Sequence, residues 1–360
     1  MRVLLSGYYG FGNLGDEALL EVIVTQLRAR FADIAIDVLS NDPASTARLG
    51  VDATPRWEWR AIRAAIGRAD AVVSGGGGLL QNATSLRSLL YYAAILREAI
   101  RAKKKTMIFA QSIGPLDLWG RFAVRRFCKG LDRATVRDER SRVLLHELVP
   151  GTPIERTADP VFLYDAPGES VDLSAEGLDA GGPPYAIVSV RKISSFREGA
   201  GTIAHAVDRL AERHGVRVAF LPLGGAGDAE VSTDVIRACS SAPVLLPDCP
   251  LPKAAAIIRG ARVVIGMRLH ALILAARYSV PFLAIPYDPK VAALCDDLAY
   301  PLEPLWVPGR PRLAEAAADA LVDRLVAQRD ELAAHLAERI AFVREAASRN
   351  FDVLGELLGE

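Results

Sequence analysis

A chain of 360 residues, 51% hydrophobic and 24% charged, has enough material for two domains of ordinary size and a core that needs no staples. Its 43 basic and 43 acidic residues cancel to a formal net charge of zero, which excludes an overall field drawing it to nucleic acid. Four cysteines, Cys128, Cys239, Cys249 and Cys295, stand too far apart for a C-x-x-C pair or a zinc-ligand spacing, and they read as buried free thiols. The opening MRVLLSGYYG has too short an apolar run for a signal-peptide core and reads as a first strand. ALILAARYSVPFLAI (271–285) is broken by Arg277 and Pro281 and falls short of a membrane span. The expected location is therefore the cytoplasm.

In chain order, short β-branched runs alternate with longer helical patterns: RVLLSG, AIDVLS, AVVSGGGG, TMIFAQS and ATVRD, then YAIVSV, RVAFLPL, RVVIG and PFLAIP. That rhythm predicts parallel βαβ units. Between the two series, residues 164–185 are rich in Gly, Pro and acidic side chains and read as a linker. The expectation is α/β: two Rossmann-like, doubly wound domains facing a cleft, over 1–168 and 169–310, with helices over 311–360 packing on the core. Ligands of such sheets sit beyond the carboxyl ends of the strands. In the last segment Leu313, Ala317, Leu321 and Leu325, then Leu332, Leu336, Ile340 and Val343, form apolar stripes at helical spacing. Core packing is the plain reading of these stripes; the seam of a homo-oligomer is the sharper one.

SGYYGFGNLGDEALL (6–20) follows a strand and opens a helix whose buried stripe would be Leu19, Leu20, Ile23, Leu27 and Phe31. Its glycines allow close backbone approach to a ligand, with Gly12, Asn13 and Asp16 as candidate contacts. No G-K-[ST] follows, so it is not a Walker loop. Asp16 and Glu17 in the first helical turn make the end less hospitable to phosphate. SGGGGLLQNATS (74–85) also leaves a strand, and four glycines in a row offer little to a core. Gly76, Gly77, Gln81, Asn82, Thr84 and Ser85 could face a polyol such as a sugar, with N-capping by Asn82, Thr84 or Ser85 as the alternative. AQSIGPL (110–116) adds Gln111 and Ser112 at a third strand end, whereas Arg137 to Arg140 in VRDERS read first as surface ion pairs.

In the second series VSVRKISSF (188–196) places Arg191 and Lys192 at the end of an apolar strand, where a guanidinium fork fits a carboxylate or phosphate. GMRLHALILAA (266–276) sets Arg268 and His270 at the seam between strand and helix. If the backbone is still extended there, side chains two apart project together into the cleft. A guanidinium, an imidazole and a helix N-terminus would then form a site for a multiply charged anion with a proton donor beside it.

Taken together, GYYGFGNLGDEALL, SGGGGLLQNATSLRSLLYY, AQSIGPL, TADPVF and GMRLHALILAA, in this order and over most of the chain, resemble the polysaccharide pyruvyl transferase family, particularly its CsaB type. The resemblance implies a GT-B-like pair of domains. It also implies transfer of pyruvate from phosphoenolpyruvate to a sugar as a ketal, with phosphate released; that scheme requires no metal, no ligand cluster suggests one, and no cofactor is expected. For the CsaB type the acceptor is an N-acetylmannosamine residue of a lipid-linked cell-wall polymer precursor, bridged across its 4- and 6-hydroxyls, in a polymer that later anchors surface-layer proteins. His270 takes the catalytic role and Arg268 and Arg191 the donor-binding roles. Chemistry agrees with these roles. A carboxylate and a phosphate on one small donor call for two arginine-type partners. Protonating the enol at its methylene carbon requires an acid, and histidine is the side chain suited to supplying one. Asp16 and the donor phosphate are both candidates for removing a hydroxyl proton. A nucleotide-sugar glycosyltransferase and a noncatalytic anion- or polymer-binding module are the alternative functions. A lipid-linked acceptor implies peripheral contact with the inner face of the membrane, although no amphipathic basic anchor stands out in the sequence.

Overall fold

The computed structural model describes residues 1–83, 85–166, 173–178 and 182–359. Two compact units divide the chain: Met1–Tyr164 with Arg344–Glu360, and Asp165–Val343. The boundary expected at 168/169, much of the linker and Thr84 lie outside the described residues.

The first unit is built on seven strands: β1 (Arg2–Tyr9), β2 (Ala35–Ser40), β3 (Asp52–Pro55), β4 (Ala71–Gly77), β5 (Lys105–Gln111), β6 (Arg133–Val136) and β7 (Ile154–Arg156). Their order is β3-β2-β1-β4-β5-β6-β7, and every neighbouring pair is parallel. The second carries β8 (Tyr185–Ser189), β9 (Arg217–Phe220), β10 (Val244–Leu245), β11 (Val263–Gly266) and β12 (Phe282–Ala284), again parallel, in the order β10-β9-β8-β11-β12. Central strands read as unbroken apolar runs because helices cover both faces. Val3, Leu4 and Leu5 of β1, and Ala71, Val72 and Val73 of β4, are all fully buried. Both sheets reverse their winding once, between β1 and β4 and between β8 and β11. Such a reversal opens a crevice beyond the strand ends where ligands of doubly wound folds bind.

Helix Leu14–Arg30 follows β1 and buries Leu19, Leu20, Ile23 and Leu27, with Phe31 buried just past its end, as the spacing predicts. The tail departs from the expected stripe. Helix Glu315–Ala327 begins after Leu313, leaves Ala317 exposed, and buries Ala318, Val322 and Leu325. That face joins the core containing Ile203, Val207 and Leu210 of helix Phe196–His214. In helix Arg329–Leu358, Leu332, Leu336 and Val343 are buried and Ile340 half-buried. The helices up to Val343 belong to the second unit, and the chain re-enters the first unit at Arg344. The physical reason is that Ala347, Asn350, Phe351 and Leu354 are fully buried, with Phe351 packed edge-on to Phe109 of β5 at 5.0 Å between ring centroids. No helix among the described residues is long and apolar enough to cross a membrane.

Candidate functional site

In the second unit the two strands beside the reversal are in register, Gly266 opposite Ser189, and the Met267 amide donates to the Ser189 carbonyl at 2.8 Å. Arg191 and Arg268 therefore each stand two residues beyond the same rung, at the carboxyl end of the sheet. Parallel pairing alone brings these distant residues to one level.

Arg268 has an extended backbone (φ −69°, ψ 121°) and occupies the cap position of helix Leu269–Arg277, which has no side-chain cap. Its guanidinium is gripped by Asp228, Nε to Oδ2 at 2.7 Å and Nη2 to Oδ1 at 2.6 Å, with side chains 14% and 2% exposed. Asp228 lies in the first turn of helix Ala226–Ala238, after β9. The loop between ends in two glycines: a Cβ at Gly224 would run into the Arg268 guanidinium where Asp228 holds it, and Gly225 holds φ at +75°. This doubly hydrogen-bonded pair fixes the fork, offsets most of its charge, and leaves the Nη1 edge for a further acceptor. Arg191 donates instead to the hydroxyl of Tyr287, just past β12, at 2.7 Å, and has no carboxylate partner among the described residues. Its positive charge is therefore not offset. Lys192 is paired with Glu230 at 2.6 Å, both 58% exposed, an arrangement worth little to stability.

The strand-like alternation expected to align His270 with Arg268 ends at Arg268, because the helix already begins at Leu269. His270 is half-buried in the first turn instead, at the end where backbone amides are not yet bonded within the helix. Arg268 and His270 thus flank a helix start rather than an extended strand, and the shared side-chain direction expected of alternate strand residues does not hold for them.

The first unit places two glycine loops at its own reversal. Gly10 and Gly12 adopt positive φ, but the amides they present are occupied by their own chain. Glu17 Oε1 accepts from the amides of Gly10, Phe11 and Gly12 at 2.9, 3.2 and 3.3 Å. Burial pushes the Glu17 carboxyl upward, with the three amides pulling it back. Asn13 caps helix Leu14–Arg30 through the amides of Gly15 and Asp16. Asp16 lies half-buried against the second loop, where a Cβ on Gly77 would sit 3.2 Å from its Oδ1.

Gly76 and Gly77, with φ of +67° and +77°, form the end of β4. The Gly77 carbonyl accepts from the Ser112 amide at 2.9 Å and from Arg137 Nη2 at 3.0 Å. The reading of Arg137 as a surface residue is corrected: it is 7% exposed and paired with Asp159 of TADPVF, itself 4% exposed. Gln111 is fully buried, its Nε2 donating to the carbonyl and hydroxyl of Ser74 at 2.8 Å, so it cross-links strands rather than lining a surface. Ser112 Oγ is buried. Asn82 Oδ1 accepts from the Asp117 amide at 3.1 Å, and Ser85 caps helix Leu86–Arg101. Gln81 is half-buried in the same loop.

Buried Arg56, 3% exposed, escaped the sequence reading. It donates to the Gly7 carbonyl at 2.9 Å and the Tyr92 hydroxyl at 3.0 Å, with the rings of Phe11, Trp57 and Tyr91 within 5.0 Å. Glu17 was read only as a first-turn acid and Asp228 was not singled out, because a lone acid in a helix's first turn looks like a dipole partner. Among the described residues no three His, Cys, Asp or Glu side chains gather as a metal-holding group.

Two parallel α/β sheets, each with glycine-rich or cationic strand ends at its reversal, define a protein of the doubly wound, ligand-binding class. Residues 13–289 match the family model for polysaccharide pyruvyl transferase, well over half of the chain, and the protein belongs to that family of transferases. No curated protein matches the chain significantly. Among solved structures it is similar to the UDP-GlcNAc 2-epimerase of Neisseria meningitidis, at 12% identity and a TM-score of 0.64, covering 99% of this chain and 100% of that one. It is similar also to MnaA of S. aureus, solved with UDP, at 9% identity and a TM-score of 0.67, covering 100% and 97%. The spinosyn forosaminyltransferase SpnP gives 14% identity and a TM-score of 0.60, covering 100% of each chain. These likenesses are to GT-B enzymes and concern the fold.

Proposed function

We propose that this transferase moves pyruvate from phosphoenolpyruvate to a saccharide as a ketal, releasing phosphate. The observation that carries this reading is the level shared by Arg191 and Arg268 at the reversal of the second sheet, with His270 in the adjoining helical turn. Arg191, its charge not offset, binds one anionic end of the donor, and the Nη1 edge of Arg268, held in place by Asp228, meets the other. His270 gives its proton to the enol methylene carbon. An acceptor hydroxyl adds at C2 as oxocarbenium character develops there, the C2–O bond to phosphate breaks, and a second hydroxyl closes the ketal. One hydroxyl proton replaces that given by His270 and the other leaves with phosphate, so the protons balance over the cycle.

The acceptor side falls to the first unit, at Gly12, Asn13, Asp16, Gly76, Gly77, Gln81 and Asn82. The acceptor in this reading is the N-acetylmannosamine of a lipid-linked cell-wall precursor, modified across its 4- and 6-hydroxyls at the cytoplasmic face of the membrane. The test is incubation with phosphoenolpyruvate and synthetic amino-sugar disaccharides, following phosphate release and the mass gain of a pyruvyl group. His270→Ala is expected to lower turnover about 10²- to 10⁴-fold with donor binding largely kept. Undiminished turnover in that variant, or consumption of a nucleotide sugar in place of phosphoenolpyruvate, would overturn the assignment.

A further inference from the structure

Helix Leu118–Phe127 presents a stripe that its neighbours leave uncovered. Leu118, Trp119 and Phe122 are 85%, 72% and 63% exposed, and Arg125, Arg126 and Lys129 continue the same face to the end of the helix and just beyond. Helix Leu86–Arg101 packs alongside and adds Leu86 and Leu90, 40% and 36% exposed, with Arg97 and Arg101. Arg97 lies over the ring of Phe127 at 4.9 Å. Desolvation, then repulsion from Arg101 and Arg126, lowers the Arg97 pKa, with Glu98 opposing. The acids nearby are otherwise engaged, Glu98 with Arg63 and Arg101, Glu147 with Arg121, and Asp117 as the helix cap.

Large apolar side chains beside a cluster of arginines fit one kind of surface well, a bilayer with anionic headgroups. Trp, Leu and Phe bury in the acyl boundary while the basic side chains reach the phosphates. A second copy of the chain fits poorly, because a symmetric contact through this patch would set like charges against each other. We infer that the face formed by Leu118, Trp119, Phe122, Arg125 and Arg126 docks the first unit reversibly on an anionic lipid surface. The docking helix is tied to the second glycine loop, since Asp117 caps Gly120 at 2.7 Å and Asn82 receives the Asp117 amide. Docking therefore brings that loop to the bilayer, where a lipid-linked saccharide would be met; this last consequence rests on the proposed function, whereas the docking itself does not.

The experiment is co-sedimentation of the full chain with phosphatidylcholine vesicles, with and without phosphatidylglycerol. Binding is expected only with the anionic lipid, weakening as salt rises. Trp119→Ser with Phe122→Ser, and separately Arg125→Glu with Arg126→Glu, should each lower the partition at least tenfold, while circular dichroism and turnover of a soluble acceptor stay unchanged. Wild-type protein that fails to sediment, or sediments equally in both double variants, overturns the inference. So does a dimer that the Trp119/Phe122 variant converts to monomer, which would identify a second copy as the occupant. Absence of pyruvyl transfer to the soluble acceptor would defeat the proposed function and leave the vesicle result standing.

Discussion

Glu17 shows how one side chain changes what a glycine loop can do. The turn after β1 was legible from its glycines, but the carboxylate filling its amides was not, because nothing in the spacing distinguishes a plug from a dipole partner. Removing that acceptor strands three amides, so Glu17→Ala should cost about 1–3 kcal/mol and lower Tm, while Glu17→Gln keeps an oxygen at the same reach. An unchanged Tm in the alanine variant would show that the loop does not depend on it. The sign of the pH effect is separable. Burial raises the carboxyl pKa on folding, so this group's contribution is full below the unfolded value and is lost as pH rises through the folded one. Glu17→Gln should flatten that slope. The Asp228–Arg268 pair makes the complementary case for the second unit. Asp228→Ala leaves a largely buried guanidinium without its partner, a loss of about 3–5 kcal/mol for pairs of this kind. If the pair positions the donor-binding fork, then Asp228→Asn in a protein that still folds should raise KM for phosphoenolpyruvate more than it lowers kcat. A fall in kcat alone would point to a different role for Asp228.

At the level of elements, nine of the strands followed from β-branched runs, and three did not. Asp52–Pro55 and Ile154–Arg156 are edge strands with partly polar sequences and Val244–Leu245 is an edge strand of only two residues, all three too short to carry a period. The buried face of helix Glu315–Ala327 was misread for a related reason. Its alanines make several stripes look alike, and the choice among them is made by helix Phe196–His214, which lies far away in sequence. Polar side chains settle that choice. His205 and Arg209 meet Asp319, and Arg209 and His214 meet Asp323, across the two helices. Hydrogen bonding from Arg209, helped by His214, holds the Asp323 carboxyl down at about 2 against an ordinary 3.8. A depressed carboxyl stabilises above its unfolded value and loses that stabilisation as pH falls through the folded one. The attachment of helix Glu315–Ala327 should therefore loosen between pH 3.8 and about 2. Asp323→Asn should be less stable than wild type at neutral pH and lack this acid step, as amide exchange within the helix can read; an identical acid profile in the variant would remove Asp323 from the account.

On the scale of the whole molecule, the chain begins and ends in the same unit. Periodicity announced the final helix but could not say which sheet would receive it, since a stripe of Leu, Val and Ala fits any apolar face. The answer lies in the side chains past Val343. Phe351 is fully buried, edge-on to Phe109, with Arg30 over its ring at 5.2 Å. Asn350 is fully buried too, its amide donating to the carbonyls of Ala158 and Ala347 at 2.9 Å and its Oδ1 accepting from Thr157 Oγ1 at 2.7 Å. An asparagine satisfied on both ends adds a directional lock to the apolar packing. If this return is part of the core of the first unit, damage to it should register there first, even though the helix runs continuously from the second. Phe351→Ala is expected to cost about 3–5 kcal/mol. Native-state hydrogen exchange should show lost protection in strands of 1–164 while strands of 165–343 keep theirs. Equal loss in both sets of strands would mean that the two units unfold as one, and loss confined to 165–343 would mean that the return segment serves the second unit after all.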